Sequence, residues 1–231
     1  MPLTKTDVEH WLNSVAPGIG LTVLSKQAGF SRIRIIQQLA GDRVQEETII
    51  KVSRVLKLNP REQLRSFPGY EYLEPSRPDP REVGAFIQWE HLLRACAAIE
   101  LAEPVTEPSL GPIHFGETSR QWIDDIDPDG GLRKHLQISG PISNPGLSKM
   151  LSGSLRLDLA LHAARYADVP KVSAWVAAHL LTPAEAGWVA DERLRWLHGL
   201  GKMQRLQLVE TRIHAAIVRE QRTQDFIDHL G

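Results

Sequence analysis

The chain repeats itself. Laying residues 11–29 on residues 122–140, a shift of 111, places Trp11 on Trp122, Leu12 on Ile123, Val15 on Ile126 and Pro17 on Pro128. Gly20 falls on Gly131, Leu21 on Leu132 and Gly29 on Gly140. One inserted residue then moves the shift to 112, pairing Phe30 with Ile142, Ser31 with Ser143, Ile35 with Leu147, Leu39 with Leu151 and Gly41 with Gly153; one deletion later Arg54 meets Arg165 and Leu58 meets Val169. The identities fall on Trp, Pro, Gly and Ser, the residue types that set helix ends and packing, so we read a duplicated supersecondary unit. Leu24, at a core position, falls on His135 with Leu136 one residue late, so the second copy is rearranged there.

The repeated unit reads as short helices. Thr6-Asp7-Val8-Glu9 has the form of a capping box, in which the hydroxyl accepts an orphan amide and the carboxylate reaches back. Val8, Trp11, Leu12 and Val15 then keep helical spacing until Ala16-Pro17-Gly18 stops them. Further helices are predicted over residues 22–28, 31–39 and 45–56, and Asn59-Pro60 caps a short fifth one. Residues 67–81 carry four prolines, each of which pushes the preceding residue away from helix, and read as a connector. One helix is predicted from 81 to 103, and Thr182-Pro183-Ala184-Glu185 forms another capping box. Alternation of the kind a half-buried strand needs is absent, so the fold class is all-α.

Charge is arranged by segment. The chain totals −1, but residues 21–65 hold nine basic against four acidic residues, and 66–131 hold four against thirteen. An acidic stretch therefore separates two basic zones, since 132–231 carry thirteen against nine. A single cysteine, Cys96, excludes an intrachain disulfide or a cysteine-rich zinc module. No apolar run approaches the roughly 18 residues of a membrane span, and no apolar signal core follows Met1, so a cytoplasmic setting without membrane partners is expected.

Thr22-Val23-Leu24-Ser25-Lys26-Gln27-Ala28-Gly29-Phe30-Ser31 resembles the helix-turn-helix of the Cro and phage-repressor (XRE) family, and the likeness continues through Ile35, Leu39, Gly41 and the helix ending near Leu58. In the second copy, the run from Ile142 to Gly153 is similar to a recognition helix and its exit, and Asp168-Val169-Pro170 resembles the end of a fourth helix. The resemblance implies two lambda-repressor-like helix-turn-helix units joined by an acidic helical spacer. It divides the chain into residues 1–66, a Pro-rich linker with one helix over 67–117, and a second such domain with C-terminal helices over 118–231. It also implies a site-specific double-stranded DNA-binding regulator, a repressor of phage or mobile-element type, acting without cofactor, metal or catalysis.

The base-reading candidates are Ser31, Arg32, Gln37 and Gln38, with Ser143, Asn144, Ser148 and Lys149 in the second copy. Arginine pairs bidentately with guanine and glutamine with adenine. Thr22, Lys26, Arg34 and Arg43, with Arg133, Lys134 and Arg156, are placed for phosphates, which add affinity without sequence information. Against this stands a protein-interaction module, an antitoxin or a transcription-machinery adaptor with a degenerate second unit; the isoleucines Ile33 and Ile36 on the first recognition helix speak for it.

Other motifs lead nowhere. Asp125-Ile126-Asp127-Pro128-Asp129-Gly130 opens like a calcium-binding EF-hand loop, but the ninth and twelfth positions are Arg133 and Leu136. No two histidines stand four apart, and no serine has a paired base and orienting group. Leu206, Val209, Ile213 and Ala216 form a seam of two heptads, read as packing on its own domain or, alternatively, as a homodimer contact. A monomer on an asymmetric site is the preferred expectation.

Overall fold

The computed structural model describes residues 3–113, 115–139 and 155–228. Along the chain its helices are α1 (Lys5–Val15), α2 (Leu21–Gln27), α3 (Arg32–Ala40), α4 (Glu46–Val55), α5 (Pro60–Arg65), α6 (Pro80–Val83) and α7 (Trp89–Glu100). They continue as α8 (Phe115–Ile126), α9 (Gly131–Ser139), α10 (Leu157–Tyr166), α11 (Lys171–Ala177), α12 (Pro183–Ala186), α13 (Glu192–Gly199) and α14 (Lys202–Asp228). The molecule is all-α: among the described residues the sole β feature is an isolated antiparallel bridge from Leu3 to Val44. No helix among them is long and apolar enough to cross a membrane.

The chain forms two compact units, Met1–Arg77 with Arg156–Trp188, and Pro78–Leu155 with Val189–Gly231. This division differs from the sequential one that the resemblance implied. Residues 67–77 belong to the first unit, where Phe67, Tyr70 and Leu73 are buried. Segment 156–188 joins them because its side chains complete the same core: Tyr70 meets Trp175 edge-on at 6.0 Å between ring centroids. Arg54 donates to both carboxylate oxygens of Glu185 at 2.7 Å and to the Leu180 carbonyl at 2.9 Å. The buried Arg61 guanidinium reaches the carbonyls of Leu73 at 3.0 Å and Glu185 at 3.1 Å, an apolar stem with every direction of its fork used.

Within the first unit, α1 begins two residues before the expected start. Its N-cap is Thr4, whose Oγ1 accepts from the Asp7 amide at 3.1 Å, so Thr6 lies inside the helix. Val8, Trp11 and Leu12 turn inward, and the Trp11 indole donates to Gln63 Oε1 on α5 at 3.0 Å. Asn59 caps α5 as its sequence indicates, accepting from the Arg61 amide at 3.0 Å. Helix bounds recur at the repeat's shift of 111: α4 at 46–55 matches α10 at 157–166, and α11 starts 111 residues after α5. The left-handed residues Lys57 and Asp168, φ +58° and +52°, recur at the same interval.

In the second unit the single helix expected over 81–103 is broken. Asp79 caps α6 in a capping box with Glu82, a 3-10 turn covers Gly84–Phe86, and Ile87 is extended before α7 begins. Glu82 is held away from the helix axis, its Oε1 on the Asp79 amide at 2.6 Å and its Oε2 accepting the buried Trp122 indole at 2.8 Å. Gly84 lies against Trp196, where an added Cβ would come within 2.7 Å of the ring, so the turn depends on the missing side chain. Leu92, Cys96, Leu110 and Leu197 form the core, with Leu208 and Val209 of α14 packed on it. The C-terminal seam is thus split: Val209 packs on the core, Leu206 is exposed, and Ile213 and Ala216 are half-buried.

Two carboxylates of the acidic run at 125–130, Asp125 and Asp127, have structural partners. Asp125 takes the buried Arg212 guanidinium on both oxygens, at 2.9 and 2.6 Å. Burial pushes its carboxyl up to about 6 in spite of that cation. Asp127 Oδ2 accepts from the Leu132 amide at 2.7 Å, satisfying the start of α9.

Candidate nucleic-acid interface

The turn between α2 and α3 is built from three local choices. Ala28 closes α2, Gly29 takes φ +81°, a left-handed conformation that glycine reaches without a steric penalty, and Phe30 turns back into the core. Ser31 then caps α3, its Oγ accepting from the Arg34 amide at 3.3 Å. The first turn of α3 thereby points away from the unit with its side chains outward.

The helical phase of α3 sorts the candidates. Ile35 is fully buried and Gln38 is only 9% exposed, whereas Arg32, Ile33, Arg34, Ile36 and Gln37 face outward. Gln38, expected among the base readers, is placed on the inward side of α3. Its Oε1 accepts from the Gln45 amide at 3.0 Å and from the Thr48 hydroxyl at 2.9 Å, fastening α3 to the start of α4. Its Nε2 is buried without a hydrogen-bond partner among the described residues.

Arg34, a phosphate candidate, is exposed and paired within the unit. Its Nη2 donates to Gln45 Oε1 and to Glu47 Oε2, each at 2.7 Å, and its guanidinium sits 5.1 Å from the centroid of the Phe30 ring. Lys51 completes the cluster, 2.8 Å from Glu47 and 4.8 Å from the same ring. Burial alone would raise the Glu47 carboxyl, but Lys51 and Arg34 outweigh it and hold the group below its ordinary value. A phosphate contact by Arg34 would have to compete with Glu47 for its Nη2. Sequence reasoning could not find this cluster, because Glu47 lies 13 residues from Arg34 and both belong to helices with other exposed charges.

Among the described residues, Arg32, Gln37, Lys26 and Arg43 are exposed and take part in no side-chain hydrogen bond or ion pair, and Thr22 is half-buried on α2. Lys26 lies on α2, Arg32 and Gln37 on α3, and Arg43 just past it. Between Arg32 and Gln37 in sequence, α3 also exposes two apolar side chains, Ile33 at 69% and Ile36 at 48%.

The second copy's candidates divide between described and undescribed residues. Ser143, Asn144, Ser148 and Lys149 lie outside the described residues. Arg133 and the exposed Lys134 belong to the first turn of α9 in the second unit. Arg156 belongs to the first unit, ahead of α10, and grips Asp158 with Nε at 3.0 Å and Nη2 at 2.5 Å. Among the described residues no three His, Cys, Asp or Glu side chains gather as a metal site requires. Compared with protein-family models, with curated protein sequences and with solved structures, the chain matches none.

Proposed function

We propose that the chain is a sequence-specific duplex-DNA-binding regulator, a repressor of phage or mobile-element type, whose α2 and α3 form a helix-turn-helix. The observation that carries this reading is the outward face of α3. Behind a left-handed glycine and a serine cap, it presents Arg32 and Gln37 without internal partners among the described residues, at the helix end from which such a motif reaches bases. Lys26 and Arg43 flank it as phosphate ligands.

Duplication extends the proposal to a second head. The bounds of α10 and α11 repeat those of α4 and α5, and α8 and α9 repeat the order of α1 and α2. Two unlike heads in one chain favour a bipartite, non-palindromic site, since a palindrome needs identical heads related by a two-fold axis. Weighing the other way, α8 and α9 belong to one compact unit while α10 and α11 belong to the other.

Selection from random duplexes at a stated salt concentration tests the function, followed by Arg32→Ala and Gln37→Ala on the selected site. Both substitutions are expected to cost specific binding about tenfold or more while leaving binding to random DNA nearly intact. Equal losses on both would remove base reading from α3. Footprinting and the mass of the complex test the second head: two chains on a symmetric site would refute the single-chain mode. The other reading, a protein-interaction module, draws on the exposure of Ile33 and Ile36, and failure of the selection to enrich any duplex would favour it.

A further inference from the structure

With Gln38 turned inward and Arg34 held by Glu47, the outward residues left on the first turns of α3 are Arg32, Ile33, Ile36 and Gln37. Half of the surface that would enter the groove is aliphatic. We propose that Ile33 and Ile36 read the 5-methyl groups of thymines, so that the sequence preference of this protein is set jointly by hydrogen bonds and by methyl contacts. The inference rests on the DNA-binding function proposed above and names how that site chooses its bases.

Groove chemistry selects thymine. Along the major-groove edge, guanine and adenine present acceptors and donors, cytosine a donor, and only thymine presents an apolar group. An isoleucine against a purine edge would strip water from a polar atom and return no hydrogen bond, which is unfavourable. Against a thymine methyl it removes apolar surface of both partners from water. The two side chains are suited to the task because β-branching fixes χ1 in a helix, so they enter the groove without rotamer freedom to lose.

Spacing adds a register. Ile33 and Ile36 stand three residues apart, with Cβ atoms about 5 to 6 Å apart on one face. Base pairs rise by about 3.4 Å, so the two isoleucines face neighbouring or next-neighbouring pairs. Gln37 follows Ile36 directly, and an adenine taken by its amide is paired to a thymine whose methyl lies in the same groove. Arg32, one position ahead of Ile33, takes guanine at the other end of the contact. The preferred half-site is thus a guanine beside a short A·T block.

The experiment replaces each thymine of the selected site, one at a time, by deoxyuridine, which keeps every hydrogen bond and loses only the methyl. In the wild-type protein one or two replacements are expected to weaken binding about three- to tenfold. In Ile33→Ala or Ile36→Ala the sensitive replacement should cost less than about twofold, while Arg32→Ala should retain the full methyl effect at its lower affinity. Both isoleucines are exposed and alanine favours helix more strongly, so these variants keep their fold, checked by circular dichroism. Specific binding in which every uridine is neutral, or a methyl effect that survives both alanine variants, overturns the inference and leaves the DNA function standing. Absence of specific binding to any duplex overturns both.

Discussion

Arg54 on α4 closes a two-pronged ion pair on Glu185 across 131 positions of sequence, both nitrogen to oxygen distances being 2.7 Å. It joins the first copy of the repeat to the segment that follows the second. Burial on its own would raise Glu185, but the Arg54 hydrogen bond and charge and the Thr182 amide hold the carboxyl below its ordinary value of 4.5. A group whose folded-state value is depressed stabilises fully above its unfolded value and loses that contribution as pH falls. The stability gap between wild type and Glu185→Gln should therefore be constant from pH 7 to about 5 and close below about 4.5, by roughly 1 kcal/mol or less because the pair is partly exposed. Urea midpoints across that range measure it, and a gap that widens on acidification would contradict the sign.

In the second unit, removing one side of the buried Asp125 and Arg212 pair leaves an uncompensated interior charge. Asp125→Ala should cost about 3 to 5 kcal/mol, and the double substitution Asp125→Ala with Arg212→Leu should recover much of it. Chemical denaturation of the three proteins decides this; no recovery in the double variant would mean that the pair contributes by packing alone.

Gln38→Ala deprives Thr48 and the Gln45 amide of their acceptor, and about 1 to 3 kcal/mol of stability should go with it. The base preference of the selected site should stay unchanged. An unaltered urea midpoint together with lost adenine discrimination would return Gln38 to the base-reading set.

Lys26 and Arg34 separate by salt. Lys26→Ala should flatten the slope of log affinity against log salt by about one unit on any sequence, whereas Arg34→Ala should leave it unchanged, its charge being spent on Glu47. Equal changes in the two slopes would place Arg34 on a phosphate after all.

What could be read from the sequence was local. The Asn59 cap, the Gly29 turn and the Ser31 cap each lie within a few residues of the backbone they serve, so composition at fixed offsets reveals them. Gln38 was expected among the base contacts, although Ile35, three positions before it, already set an inward phase that includes it. The start of α1 was not legible, since Thr4 and Thr6 both precede an acidic residue at capping distance and only the fold decides between them. Nor was the break at Gly84, which depends on Trp196 more than a hundred positions away. Arg34 escaped for the same reason: the residues that neutralise it are supplied by another helix.

Because the first unit takes its last pieces from residues 156–188, its completion is a matter of timing during synthesis. Domains emerging from the ribosome ordinarily close in order, the N-terminal one first. Here α1 to α5 leave early, but Trp175 and Glu185, the partners of Tyr70 and Arg54, are translated only after the whole of 78–155. Until then Arg61 lacks the Glu185 carbonyl among its acceptors. A message broken off before that point yields an unfinished first unit, so the completeness of the polypeptide is tested by the same contacts that hold that unit together.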